Sequence, residues 1–160
     1  MTDLCVTPFR VWPTDLDVLR HVNNGVYFSM MDLGRIDMMI RSGAYKIINK
    51  KGWYPVVTAE TLKFKKSLTV FHKFEMQTQI VGWDETSFFI EQSFLRKNKI
   101  YASGVIKGQF LKRRGGKVTT RELLEAVDVD YKSKNLSSEV LNWSESAEEI
   151  FNSKKNKDNQ

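Results

Sequence analysis

Between Val26 and Ile40 almost every side of a 3.6-residue repeat is apolar: Val26, Tyr27, Phe28, Met30, Met31, Leu33, Ile36, Met38, Met39 and Ile40. A helix with so little polar face belongs in the middle of a domain. Asn23 or Asn24 suits its N-cap, and Gly43 stands where a C-terminal glycine belongs. A short second helical piece follows over residues 44–51 and stops at Gly52. Ahead of the loop that precedes the long helix, residues 5–12 read as a strand ended by Pro13. Beyond Trp53 the period falls to two. Val56, Thr58, Glu60, Leu62 and Phe64 share one face, and Ala59, Thr61, Lys63 and Lys65 the other. The first set is expected against the helix. Residues 70–83, 86–96 and 100–112 predict three further long strands, with turns at Asp84-Glu85 and Lys97-Asn98-Lys99. In the second of these, Phe88, Ile90, Gln92 and Phe94 alternate with Phe89, Glu91, Ser93 and Leu95, so either face can pack. One central helix followed by a meander of long strands predicts an α+β domain, a long antiparallel sheet wrapped around a buried helix.

The remainder is helical. Thr119-Thr120-Arg121-Glu122 has the form of a capping box opening a short helix through Ala126. Ser137 or Ser138 caps a last amphipathic helix carrying Val140, Trp143, Ala147, Ile150 and Phe151, and a disordered polar stretch is expected from Asn152 on. The expected division is a domain over 1–128, a helical extension over 129–152 and a polar tail over 153–160. At 160 residues, 41% hydrophobic and 28% charged, the chain has the make-up of a single globular domain with a proper core. No run is long enough to span a membrane, and the start lacks the regions of a signal peptide. The lone Cys5 excludes an internal disulfide and fits a reducing, cytoplasmic setting. A net charge of +6 favours an anionic partner, although Lys154, Lys155 and Lys157 inflate it.

Candidate chemistry concentrates in the loop over residues 14–25, which holds Asp15, Asp17, His21, Asn23 and Asn24 just before the buried helix. The first N–H groups of that helix, at Asn24, Gly25 and Val26, have no partner within it and sit at the positive end of its dipole. A carboxylate beside such amides suits acyl transfer: it can activate water or attack directly, while the amides hold an oxyanion. The plainer alternative is that Asp and Asn are common turn and capping residues, and a loop histidine is often structural. Glu60 is a possible second polar group, since a carboxylate on the helix-facing side of a strand needs a partner or a task. Asp32, three residues after Ser29 on one helix face, is another. Asp37 and Arg41 form an i,i+4 pair of the kind that usually decorates a surface. Lys63, Lys65, Lys66, Arg113 and Arg114 can meet phosphates or form a solvated face. His72 reads as a strand histidine, and a Cys5–His21 nucleophile pair is conceivable. Two histidines and one cysteine, widely spaced, make a zinc site improbable. There is no nucleophile elbow, P-loop or dinucleotide fingerprint.

The run Asp-Leu-Asp-Val-Leu-Arg-His-Val-Asn-Asn-Gly-Val-Tyr, residues 15–27, resembles the signature of hot-dog-fold thioesterases, the 4-hydroxybenzoyl-CoA and acyl-CoA thioesterase superfamily. It is most similar to the THEM6-like and plant acyl-ACP thioesterase branches, and a weaker likeness extends over residues 5–112. The resemblance implies the hot-dog fold, with sheet edges paired between subunits in a homodimer or homotetramer. It implies hydrolysis of an acyl-CoA or acyl-carrier thioester, with coenzyme A as a substrate moiety and no cofactor. Asp17 matches the catalytic acid and His21 the histidine of the acyl-ACP branch. Leu19 stands where the plant enzymes carry Asn, and Ser67 where they place a further acid. These two departures favour a second reading, an acyl-thioester-binding protein without catalysis. A third, nucleic-acid binding, rests on charge and Arg113-Arg114-Gly115-Gly116; it ranks last because the aromatics alternate as core residues do.

Overall fold

The structure, a computed structural model, describes residues 3–131 and 136–155. Strand β1 (Cys5–Arg10) leads through a 3-10 turn at Pro13–Asp15 into helix α1 (Asn24–Arg41) and the short helix α2 (Ala44–Lys50). Four long strands follow, β2 (Trp53–Phe64), β3 (Lys73–Trp83), β4 (Ser87–Arg96) and β5 (Lys99–Lys112). A two-residue strand β6 (Lys117–Val118) and helices α3 (Thr120–Ala126) and α4 (Ser138–Lys155) complete the chain. All pairings are antiparallel, in the order β1-β3-β4-β5-β2, with β6 beside the end of β5. The sheet curls around α1, the hot-dog architecture expected above.

Close approach of helix to sheet depends on Gly34. A Cβ there would lie 2.6 Å from Met76 Sδ and 3.1 Å from Thr78 Oγ1, so only glycine lets α1 settle on β3. Tyr27, Met30, Met31 and Met38 then bury themselves against Phe74, Ile80 and Phe94. Beneath them Gln92 is fully buried and satisfied: its amide donates to Met31 O (3.0 Å) and Thr78 Oγ1 (2.9 Å), and its oxygen accepts from Arg35 (2.8 Å). The Asp37–Arg41 pair is more than surface decoration. Asp37 accepts from the Thr7 hydroxyl at 2.6 Å and Arg41 donates to Val6 O at 2.9 Å, which ties the end of α1 to β1.

Two expectations need correcting. First, α1 is not covered all round: Leu33, Ile36 and Ile40 are 55%, 41% and 56% exposed, because the sheet encloses one side of the helix only. Second, the alternation in β2 is broken. A bulge between Val57 and Ala59 shifts the register against β5, and Thr58 turns outward to donate its hydroxyl to Lys107 O. Glu60, Leu62 and Phe64 sit beyond the bulge; Glu60 lies near Arg35 and Phe64 against the Tyr27 ring. Gly43 does stand where expected: it follows the C-cap Ser42 in the left-handed conformation (φ 74°), its N–H donating to Ile40 O, and it also opens α2.

The outer face of the sheet is covered by the chain after α3. The Trp83 indole donates to Tyr131 O, Leu136 rests on Gly82, and α4 lies over Lys107. Lys107 is buried, donates to Ser144 Oγ and Glu148, and stands 5.7 Å from the Phe89 ring centroid. α3 starts from the expected box, Thr119 and Glu122 capping each other. α4 runs on to Lys155, past Asn152 where the order was expected to end; residues 156–160 of the tail lie outside the described residues. Ile150 and Phe151 do not join the core but stay 62% and 68% exposed. No helix of the described residues is long and apolar enough to cross a membrane.

Candidate active site

Asp17 and His21 close one tight turn ahead of α1. The Asp17 N–H donates to His21 O (2.8 Å), and Asp17 Oδ1 accepts from the amides of Leu19 (2.8 Å) and His21 (3.2 Å). Arg20 takes a left-handed φ of 61° to make this possible, and His21 bridges to Thr69 on the next loop. The two residues are thus held together through backbone, with no bond between carboxylate and imidazole. The His21 ring is exposed and free of hydrogen bonds among the described residues. Cys5 sits at the opposite end of α1, beside Asp37 and Arg41, so a Cys5–His21 pair does not form. His72 lies in the turn before β3, where its Nδ1 accepts from Thr69 N. Partial burial and the nearby Arg96 and Lys97 push its imidazole below the ordinary range.

The helix N-terminus offers less than expected. Asn23 is the N-cap, and its side chain accepts from Gly25 N at 2.8 Å. The Asn23 carbonyl accepts from Val26 N (3.0 Å) and Tyr27 N (3.4 Å). Two of the three expected oxyanion donors, Gly25 and Val26, are therefore engaged by the cap itself. The Asn24 N–H alone lacks an acceptor among the described residues.

A mainly apolar space lies further along α1. A cavity of about 370 Å³ runs between the helix and the inner sheet, walled by Met38, Met39, Val56, Phe88, Ile106 and Phe110. Its polar lining is confined to Asp32, Arg35 and Gln109. Arg35, 8% exposed, organises that end: it donates to Gln92, pairs with Asp32, and lies 3.9 Å from Glu60. Burial raises the Glu60 carboxyl above its usual range, Arg35 draws it back, and Asp32 raises it again. The two candidate second acids, Asp32 and Glu60, are thus brought together. Sequence reasoning passed over the arginine between them; the signal was an Arg three residues after Asp32 in an otherwise apolar helix. Ser29 is not part of this group and bonds back to Gly25 O. At 1.5 Å rise per residue, Asp32 stands about 12 Å along the helix from Asn24, so cavity and loop are separate places within one chain.

The candidate phosphate ligands also divide. Lys63 pairs with Ser103, whereas Trp53 pairs with Lys112, the neighbour of Arg113 and Arg114. At roughly 3.3 Å per residue, Lys63 and Lys65 lie about 30 Å from the two arginines, and the four cannot grip one nucleotide in a single chain. Arg113 donates to Asn49 and Gly52 O, while Lys63, Lys65 and Arg114 are solvated. No cluster of three metal-ligating side chains occurs among the described residues.

Comparison with known proteins places this geometry. The zebrafish (Danio rerio) Protein THEM6 is 31% identical over 134 residues, covering 84% of this chain and 65% of that protein. The frog (Xenopus laevis) protein of the same name is 32% identical over 96 residues, 60% of this chain and 46% of its own length. The chain therefore spans half to two thirds of the curated relatives it matches. Among solved structures, the YbaW probable thioesterase of Escherichia coli superposes with a TM-score of 0.71 at 18% identity, over 77% of this chain and 96% of that one. The gentisyl-coenzyme A thioesterase BH1999 gives 0.68 at 23% identity, over 76% and 99%. These likenesses establish the fold, and a family model matches residues 11–144. By that match, which takes in the loop, α1 and the whole cavity wall, the chain belongs to the thioesterase-like superfamily.

Proposed function

We propose that this protein hydrolyses an acyl thioester of coenzyme A or an acyl carrier, releasing a carboxylic acid and a free thiol. The observation that carries the reading is the cavity: an apolar space against the central helix whose charged lining is limited to Asp32 and Arg35. Such a space takes an acyl group and leaves its thioester near water and carboxylates. In the reaction, water adds to the carbonyl carbon, the C–S bond breaks, and the thiolate leaves with a proton. Asp17 serves as base or nucleophile in its ionised form, and the Asn24 amide holds the developing oxyanion. His21, exposed on the same turn, can protonate the departing sulfur.

Loop and cavity are separate in one chain, and a homodimer joins them. β2 is an edge strand, paired with β5 on one side only. Two β2 strands pairing antiparallel about their midpoints set the loop end of one subunit beside the Pro55–Val57 side of the other's cavity. The same operation brings Lys63 and Lys65 towards Arg113 and Arg114 of the second copy, a basic strip for a nucleotide's phosphates. A second reading, thioester binding without turnover, is favoured by one observation. Asp17 Oδ1 is committed to the amides of Leu19 and His21, as in a simple turn.

One assay separates the readings. Release of free thiol from a panel of acyl-CoAs is measured for the native protein and Asp17→Asn, together with their melting temperatures. A folded mutant slowed by ~10²–10⁴-fold supports the catalytic role. A folded mutant with native kcat removes it and leaves Glu60 or Asp32 as the acid. No turnover by the native protein on any substrate, with retained binding, selects the second reading.

A further inference from the structure

One position in the cavity wall lacks the side chain its neighbours carry. On the inward face of β5, Ile106 and Phe110 are buried side chains, and Gly108 stands between them. Across the ladder it pairs with Phe88 on β4 and Val57 on β2, and all of them line the cavity. The other glycine of this strand is there for packing: a Cβ on Gly104 would lie 2.0 Å from Thr61 O. Gly108 has no such need. A Cβ there meets nothing nearer than Val56 O at 3.6 Å, an ordinary contact, and its φ is not positive. Glycine in a strand interior weakens the strand, so neither backbone conformation nor close approach explains it. What its missing side chain leaves is room.

We propose that Gly108 is the specificity-determining position, and that the substrate class is an unsubstituted, medium-chain acyl thioester. This rests on the hydrolase reading above and deepens it. A space of about 370 Å³ lies near the lower end of the ~300–1,000 Å³ typical of small-molecule pockets, which suits an acyl chain of medium length. Apart from Asp32, Arg35 and Gln109 its walls are aliphatic, thioether and aromatic, and the Gln109 amide already donates to Ser87 Oγ. The Arg35 head is already bonded to Gln92 and Asp32, so it offers no ready partner to a hydroxyl or carboxylate carried deep on the chain. A polar substituent there would give up its water without replacement.

The test grades the vacancy. Gly108→Ala and Gly108→Val place one and three heavy atoms into the cavity. Valine opposite Phe88 is a favourable cross-strand pair, so both variants fold. Each protein is assayed for kcat/KM on saturated acyl-CoAs of two to sixteen carbons. Binding of the matching non-hydrolysable S-alkyl coenzyme A thioethers is followed by calorimetry. The native protein is expected to peak between eight and twelve carbons. Gly108→Val shifts the peak shorter by two to four carbons, with about a 10-fold or larger loss for dodecanoyl and little change for butanoyl. Gly108→Ala falls between. A terminal hydroxyl on the dodecyl thioether weakens binding about 10-fold or more.

The two readouts keep the readings apart. A length optimum in thioether binding that shortens in Gly108→Val, without turnover, upholds the pocket and defeats the hydrolase. Turnover with a length profile that Gly108→Val leaves unchanged upholds the hydrolase and overturns the role of Gly108. Absence of both turnover and thioether binding overturns the pocket as well.

Discussion

The guanidinium of Arg35 lies within reach of two carboxylates and one amide, and the balance among them decides the charge at the cavity mouth. Glu60 is the member out of equilibrium with water, its carboxyl raised chiefly by burial and further by Asp32, against the pull of Arg35. An acid whose folded pKa exceeds its unfolded one holds its proton more tightly when folded. Its ionisation therefore costs stability, beginning near the unfolded value of about pH 4.3 and growing until the pH passes the folded pKa. Glu60→Gln keeps an acceptor for Arg35 and removes that cost. Denaturant unfolding should show the variant gaining on the native protein between pH 4 and pH 7; a difference that does not change with pH would rule this out. At this scale the sequence was a partial guide. Glu60 and Asp32 stood out because carboxylates on apolar faces need a reason. Arg35 did not, because a long charged side chain on a helix reads as surface until the opposite strand is known. Asn23 shows the converse: its capping role was legible, but not that the cap would engage two of the amides reserved for an oxyanion.

Among the elements, α4 is held in a way its amphipathic pattern did not announce. Val140, Trp143 and Ala147 promise an apolar inner face, yet the deepest contact is polar: Lys107 beneath the helix, donating to Ser144 and Glu148. Lys107 has a side chain only 9% exposed, whereas that of Glu148 is 63% exposed, so the pair is half screened. Removing one partner of a buried pair leaves a stranded charge, while replacing the charge by an apolar group of similar size is often neutral. Glu148→Ala should therefore cost about 1–2 kcal/mol, between the ranges for surface and buried pairs. Lys107→Met, which keeps the contact with Phe89, should cost less. Equal losses in the two variants would mean that the charge pair does not hold the helix. The strand elements were the most legible, since long period-two runs and short polar turns leave few alternatives. The bulge at Thr58 was not, because one extra residue in a strand leaves the apolar count unchanged and only reverses the side on which it falls.

At the scale of the whole molecule, an open strand edge and an apolar helix stripe stand uncovered among the described residues. β2 presents an unpaired edge twelve residues long, and α1 shows the stripe Leu33, Ile36 and Ile40 beside it. Open edges of this length are a liability unless another chain covers them. An antiparallel pairing of β2 with its own copy is self-complementary and closes after two subunits, as a two-fold interface must. Among the described residues the outer sheet face offers no comparable surface, because α4 and Leu136 already lie on it. The expected assembly is therefore a dimer through β2, which light scattering at micromolar concentration would show directly. Val57→Pro tests the edge. Val57 is half exposed on β2, and proline there removes a backbone donor and fixes φ beside the bulge. The variant should become monomeric and lose thioester hydrolysis, since loop and cavity then lie in different molecules. It should keep its own fold, because β2 is an edge strand that already holds Pro55; near-UV circular dichroism checks this, since Val57 also lines the cavity. A monomeric variant that hydrolyses thioesters at the native rate would show that one chain carries a complete site, and would return attention to Glu60 and Asp32 at the mouth of its own cavity.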